Sequence, residues 1–197
     1  MYLTQININP DLNSARRALS SPQIMHAIIE KCFEESQRNL WSLDDNKLLI
    51  VSTAQPTNRE AAEQLGGLPQ TKSYAPYLES IADGDIYRFR LRANPVHSVK
   101  VKQGERGKVL AHVTIEQQEN WLRIKAENLG FELGEFAVTS SEFVQFNKAG
   151  GQRVTLKLAT YDGFLTVTNR DALTAAMTDG IGRAKAYGAG LLTMMRV

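Results

Sequence analysis

Hydrophobic periodicity in this 197-residue chain switches between two and about 3.6 several times, and that alternation leaves few folds open. Residues Tyr2 to Ile8 alternate apolar and polar, as a half-buried strand does. Ser20-Ser21-Pro22 reads as a helix start, with proline at the first helical position. Ile24/Met25, Ile28/Ile29 and Cys32/Phe33 recur at four-residue spacing and predict a buried stripe on a helix running to about Gln37. Leu40 to Leu43 and Lys47 to Thr53 flank Asp44-Asp45-Asn46 as the arms of a hairpin. Asn58 to Leu65 reads as a weaker helix stopped by Gly66-Gly67, a loop holding Pro69 and Pro76 follows, and Ile86 to Arg92 alternates strictly. Strand, helix, strand, strand, helix, strand is the ferredoxin-like order.

The second half repeats this order. Val96 to Val101 is strand-like, and Thr114 to Leu129 is a charged helical pattern that Gly130 ends. Phe131 to Phe146 and Arg153 to Thr168 are long β-rich runs joined by residues 147–152, with Asp162-Gly163 expected as a further tight turn. Asp171 to Asp179 reads as a short helix closed by Gly180, and Ala189 to Met195 as a final strand. The expected fold is α+β: two tandem ferredoxin-like, RRM-like domains, residues 1–93 and residues 94–197.

Composition narrows the function classes. The single cysteine, Cys32, excludes an internal disulfide and a zinc site of paired cysteines, and suits a reducing, cytoplasmic setting. No stretch approaches the roughly 20 apolar residues that span a bilayer, and the N-terminus has no basic start or long apolar run, so neither export nor membrane insertion is expected. The formal net charge of +2 conceals segregation. Arg88 to Lys108 holds seven cations against Glu105, while Lys148 to Lys157 and Ile181 to Val197 each hold three cations and no acid. Clustered Lys and Arg suit a polyanion; they also suit a solvated face.

Several residues carry candidate chemistry. His26 lies about 200° around the helix from Ile28, away from the buried stripe, where a neutral imidazole suits proton transfer to or from a hydroxyl. An inconsequential surface histidine would look the same, and His97 and His112 are rivals with less helical context. The segment Gly180 to Leu192 offers close backbone approach at Gly182, Gly188 and Gly190, charge at Arg183 and Lys185 and a stacking surface at Tyr187, or else a tight connection packed for its own sake. It matches neither the Walker nor the dinucleotide fingerprint. Arg88, Arg90 and Arg92 share one strand face. The loop from Asn147 to Arg153, with Lys148 and Arg153, either reaches a groove or merely turns a hairpin. The histidines and the cysteine have no metal-ligand spacing, so no metal site and no cofactor is expected. Phe143-Val144-Gln145-Phe146 matches only the tail of an RNA-recognition motif.

Taken together, Met1-Tyr2-Leu3-Thr4, Ser21 to His26, the block Tyr87 to Pro95 and the ending Gly180 to Leu192 resemble the CasE family, the CRISPR RNA-processing endoribonucleases of type I-E Cascade within the RAMP superfamily. The resemblance spans the whole chain and implies the same two-domain fold. It implies metal-independent cleavage of CRISPR repeat transcripts at the base of the repeat stem-loop, leaving a 2′,3′-cyclic phosphate. The product would stay bound while the protein joins the other Cascade subunits. By this resemblance His26 is the catalytic general base or acid, and Arg153, or else Lys148 or Lys157, stabilises charge at phosphorus. RNA contacts are expected from Arg88, Arg90, Arg92, Lys148, Arg153, Lys157, Gly182, Arg183, Lys185, Gly188 and Gly190. Where some relatives carry tyrosine three positions before the histidine, this chain has Gln23, which cannot act as a phenolic donor. The alternative is a non-catalytic RNA-binding subunit of the same fold.

Overall fold

Strand alternation at Tyr2–Asn7 (β1) buries Thr4 and Ile6 completely, and the chain then runs through helices Asn13–Leu19 (α1) and Pro22–Lys31 (α2). Strands Leu40–Asp44 (β2) and Lys47–Ser52 (β3), helix Arg59–Glu63 (α3) and strand Gln70–Ser73 (β4) follow. In this computed structural model, which describes residues 1–99, 107–148 and 150–197, these strands form an antiparallel sheet in the order β2-β3-β1-β4. Ile6, Ile8, Leu48 and Ile50 pack there with Met25, Ile28 and Ile29 of α2.

Two local expectations change here. Helix α2 stops at Lys31 instead of Gln37, because the Cys32 carbonyl accepts from the backbone N–H groups of Thr57 and Asn58, at 2.9 and 3.2 Å, and so leaves the helical ladder. The expected loop around Pro69 contains β4, a polar edge strand whose Gln-Thr-Lys-Ser sequence carries no apolar alternation.

Residues Ile86–Ala93 (β5), expected to close the first unit, instead belong to the second sheet, since Tyr87, Phe89, Leu91 and Ala93 bury into its core. Helix Ala75–Glu79 (α4) leads into β5. After β5 come strands Val96–Val99 (β6) and Lys108–Ala111 (β7), helix Ile115–Ala126 (α5) and strands Phe131–Asn147 (β8) and Arg153–Val167 (β9). Helix Arg170–Asp179 (α6), a 3-10 turn at Lys185–Tyr187 and strand Leu192–Arg196 (β10) complete the chain. The second sheet has the order β10-β5-β9-β8, so β5-α5-β8-β9-α6-β10 is itself a βαββαβ unit. The fold is thus α+β, with two ferredoxin-like units in tandem. The run expected as the second unit's first strand is in fact β6, half of an inserted β6–β7 hairpin; Lys100, Val101, Lys102 and Arg106 lie outside the described residues.

Thr114 starts α5 with a capping box shared with Gln117. The turn expected at Asp162-Gly163 does not form: both residues lie within β9, and Gly163 sits opposite a register shift in β8. A Cβ there would lie 2.3 Å from that of Phe136, so glycine permits close strand approach rather than reversal. Leu40 and Val51 of the first sheet join the second core, which fastens the two units together. Among the described residues no helix is long and apolar enough to cross a membrane.

Candidate active site

Helix α2 buries Met25, Ile28 and Ile29, so the 100° step leaves His26 on its flank with 28% of its side chain exposed. The ring nitrogen Nδ1 is buried and has no hydrogen-bond partner among the described residues, which leaves Nε2 as the outward nitrogen. Glu30 Oε1 lies 3.8 Å from Nδ1, too far for a hydrogen bond but within ion-pair reach of an imidazolium. Asn39 Nδ2 donates to the same Glu30 oxygen at 3.1 Å.

Across from His26 stands Tyr187, its ring 6.2 Å away and edge-on at 72°. Phe146, at the end of β8, supports Tyr187 with ring centroids 4.6 Å apart. The 3-10 turn that carries Tyr187 is fixed from the first unit, because Trp41 Nε1 of β2 donates to the Ala186 carbonyl at 3.1 Å. Next to it Gly188 has φ 74°, and a Cβ there would fall 2.5 Å from the Trp41 ring. A helix of the first unit and two segments of the second thus meet at His26.

The predicted basic residues divide into groups. Arg90 donates from Nε to Asp162 Oδ1 at 2.7 Å and from Nη2 to Oδ2 at 3.3 Å, and its Nη1 also meets Asp44 of β2. Arg92 pairs with Glu142 at 2.6 Å. Both line a cleft of about 350 Å³ between the sheets, and Arg88 lines the adjoining one. Burial alone would raise the Asp162 carboxyl, but hydrogen bonds from Arg90 and Thr139 and the charges of Arg90 and Arg88 hold it below its ordinary value. The Arg90–Asp44 bond therefore joins the units, while Asp162 holds Arg90 within the second sheet, and sequence alternation could reveal neither.

Lys148 is exposed where β8 ends, and the neighbouring Ala149 lies outside the described residues. Arg153 donates to Gln145 Oε1, and Lys157 is 8% exposed with Nζ 4.5 Å from the centroid of the Phe143 ring. Strand alternation places Phe143, Gln145, Arg153 and Lys157 on one side of the hairpin and Phe146 on the other. Arg153 therefore does not share the side that meets Tyr187 and His26. In the glycine-rich segment Arg183 is exposed and bridges Asn94, while Lys185 Nζ donates to the Asp179 carbonyl at 2.6 Å. Burial, and then the charge of Arg38, lowers the Lys185 pKa. Gly188 and Gly190 are buried, and Gly182 faces Trp121, so packing accounts for all three.

His97 and His112 lie on and beside the inserted hairpin, their rings 4.6 Å apart. Burial, and then the charge of His97, lowers the His112 pKa. Among the described residues no three His, Cys, Asp or Glu side chains converge as metal ligands. Sequence reasoning alone misses Glu30 and Asn39. Glu30 was detectable, one turn after His26 at i+4; Asn39, in the chain leading to β2, had no such signal.

The model of a family described as CRISPR associated protein matches residues 1–196. The chain belongs to this CRISPR-associated family. The CRISPR-associated endoribonuclease Cse3 of Thermus thermophilus is 26% identical, over 98% of this chain and 99% of that protein. A structure of the CRISPR endoribonuclease Cse3 bound to a 19-nucleotide RNA superposes with a TM-score of 0.80 at 26% identity, covering 98% of each chain. Cas6e from Escherichia coli K-12, at 19% identity, a TM-score of 0.71 and full coverage of both chains, shares the fold of this CRISPR-associated protein.

Proposed function

We propose that this protein is an endoribonuclease that cuts CRISPR repeat transcripts at the base of the repeat stem-loop and remains on the processed RNA within a Cascade-type assembly. The observation that carries this reading is the outward imidazole of His26 at the junction of the two units, in a chain related along its whole length to an RNA-cutting protein. The 2′-hydroxyl oxygen upstream of the cut attacks the adjacent phosphorus and gives up its proton to a base. The bond from phosphorus to the 5′ oxygen breaks, and that oxygen takes a proton from an acid. The products are a 2′,3′-cyclic phosphate and a 5′-hydroxyl, with no metal required. His26 serves one of the two proton transfers. Tyr187 bounds the imidazole, and with Gln23 in place of tyrosine no phenol precedes His26 on its own helix.

Affinity comes from cations not already held by acids, because A-form RNA is recognised mainly through phosphate and shape. Lys148, Arg153, Lys157, Arg183 and Lys185 fill this role best. Arg90 ties the units together through Asp44, Arg92 is matched by Glu142 within the second unit, and Arg88 adds positive charge beside them. Arg153, on the side of the hairpin away from Phe146, is assigned to holding RNA rather than to the phosphorus at His26. The work is done in the cytoplasm, where the transcript is made.

The test is incubation of the protein with its repeat RNA in EDTA, followed by analysis of the product ends. One cut with a 2′,3′-cyclic phosphate is expected, and 2′-deoxyribose at the upstream nucleotide should block it. A requirement for Mg²⁺, or cutting of the deoxy substrate, would overturn the mechanism. Binding without any cutting would leave an RNA-binding subunit.

A further inference from the structure

We propose that Glu30, anchored by Asn39, is the positioning residue that aims the His26 imidazole; this rests on the endoribonuclease reading of His26. Four observations converge. Glu30 stands one helical turn after His26 on α2, on the side of Nδ1, with Oε1 3.8 Å from that nitrogen. Among the described residues the buried Nδ1 has no hydrogen-bond partner, and no other acid lies within ion-pair reach of it. Asn39 is only 6% exposed and directs its amide N–H to the same Glu30 oxygen at 3.1 Å, so the carboxylate is restrained from outside the helix. Among the described residues Asn39 Oδ1 is buried without a partner, so the bond to Glu30 is the one that this side chain makes.

A carboxylate facing Nδ1 favours the tautomer with hydrogen on Nδ1 and the lone pair on Nε2. The 3.8 Å separation puts Glu30 one ring rotation from hydrogen-bond length for an Nδ1 that carries a proton. Tyr187 limits the ring from the opposite unit, supported by the uncharged Phe146, and the cation of the 3-10 turn, Lys185, is engaged by the Asp179 carbonyl. The role is therefore divided: Tyr187 bounds the ring, and Glu30 selects the nitrogen that faces RNA.

The experiment measures single-turnover cleavage of the repeat RNA against pH, together with RNA affinity, for Glu30→Ala, Glu30→Gln, Glu30→Asp and Asn39→Ala. Glu30→Ala and Glu30→Gln are expected to slow cleavage about tenfold, equivalent to about 1.4 kcal/mol in the barrier. RNA affinity should stay unchanged, and the dependence of the cleavage rate on pH should differ from that of the wild type. Glu30→Asp should recover part of the rate. Asn39→Ala should act in the same direction, and adding it to Glu30→Ala should change nothing further, because Asn39 acts through Glu30. Glu30→Gln keeps the length of the side chain and its acceptor for Asn39, so a general folding loss would separate it from Glu30→Ala. Wild-type rates with an unmoved pH profile in Glu30→Gln, or a rate loss matched by weaker RNA affinity, would overturn the inference. If His26→Ala abolishes cutting while Glu30→Gln is silent, this inference alone fails. If His26→Ala cuts normally, the reading of His26 fails and takes this inference with it.

Discussion

Tyr187 and His26 come from opposite ends of the chain and meet edge-on, with Phe146 behind the phenol. Such an aromatic pair contributes about 0.5–1.5 kcal/mol beyond its buried area. Tyr187→Phe keeps the ring and should cleave at nearly the wild-type rate, whereas Tyr187→Ala should slow single-turnover cleavage by up to about tenfold. A large loss in Tyr187→Phe would mean that the hydroxyl itself acts. Asp162 gives a second prediction at this scale. Its carboxyl is depressed in the fold, so the stability it confers is present above the ordinary carboxylate value of 3.8 and disappears as pH falls below it. Asp162→Asn should therefore lower the unfolding midpoint at pH 7 and flatten its decline between about pH 5 and 2. The exposure of His26 was legible because helical spacing fixes direction around an axis. The side taken by Arg153 was not, because a one-residue change of register turns every side chain of a strand over.

The elements themselves were mostly legible, and their grouping was not. The order βαββαβ occurs twice, as the periodicity predicts, yet β5 belongs to the second unit. Alternation shows that a strand buries one face and says nothing about which core receives it. The polar edge strand β4 leaves no signal in the sequence because pairing along one side of β1 demands no apolar stripe. The glycine-rich connection before β10 was legible as a special segment, but its glycines respond to Trp41, Trp121 and the Ile181 carbonyl. Gly188→Ala should cost about 1–3 kcal/mol, measured as a lower urea midpoint with unchanged slope, since a methyl must displace Trp41 at a positive φ. A neutral result would mean that the turn below Tyr187 is loosely held.

For the molecule as a whole, the segregated charge of the sequence divides in two. The cleft arginines Arg90 and Arg92 are matched by Asp44, Asp162 and Glu142, while Lys148 and Arg153 on the β8–β9 hairpin have no acid within ion-pair distance among the described residues. The cationic segments thus come together only in part: the hairpin and the glycine-rich segment meet through Phe146 and Tyr187, while Arg90 of β5 ties the units together through Asp44. Lys148→Ala with Arg153→Ala should weaken RNA binding and reduce the slope of log affinity against log salt by about 2, one for each phosphate no longer neutralised. An unchanged slope would remove the hairpin from the RNA interface. The most direct measurement of the role of His26 compares His26→Ala with the wild-type protein on repeat RNA in EDTA, recording cleavage and affinity side by side. Site-specific cutting by the wild type, none by His26→Ala and equal affinity for both are expected; equal cutting by the two proteins would contradict a proton-transfer role for this imidazole.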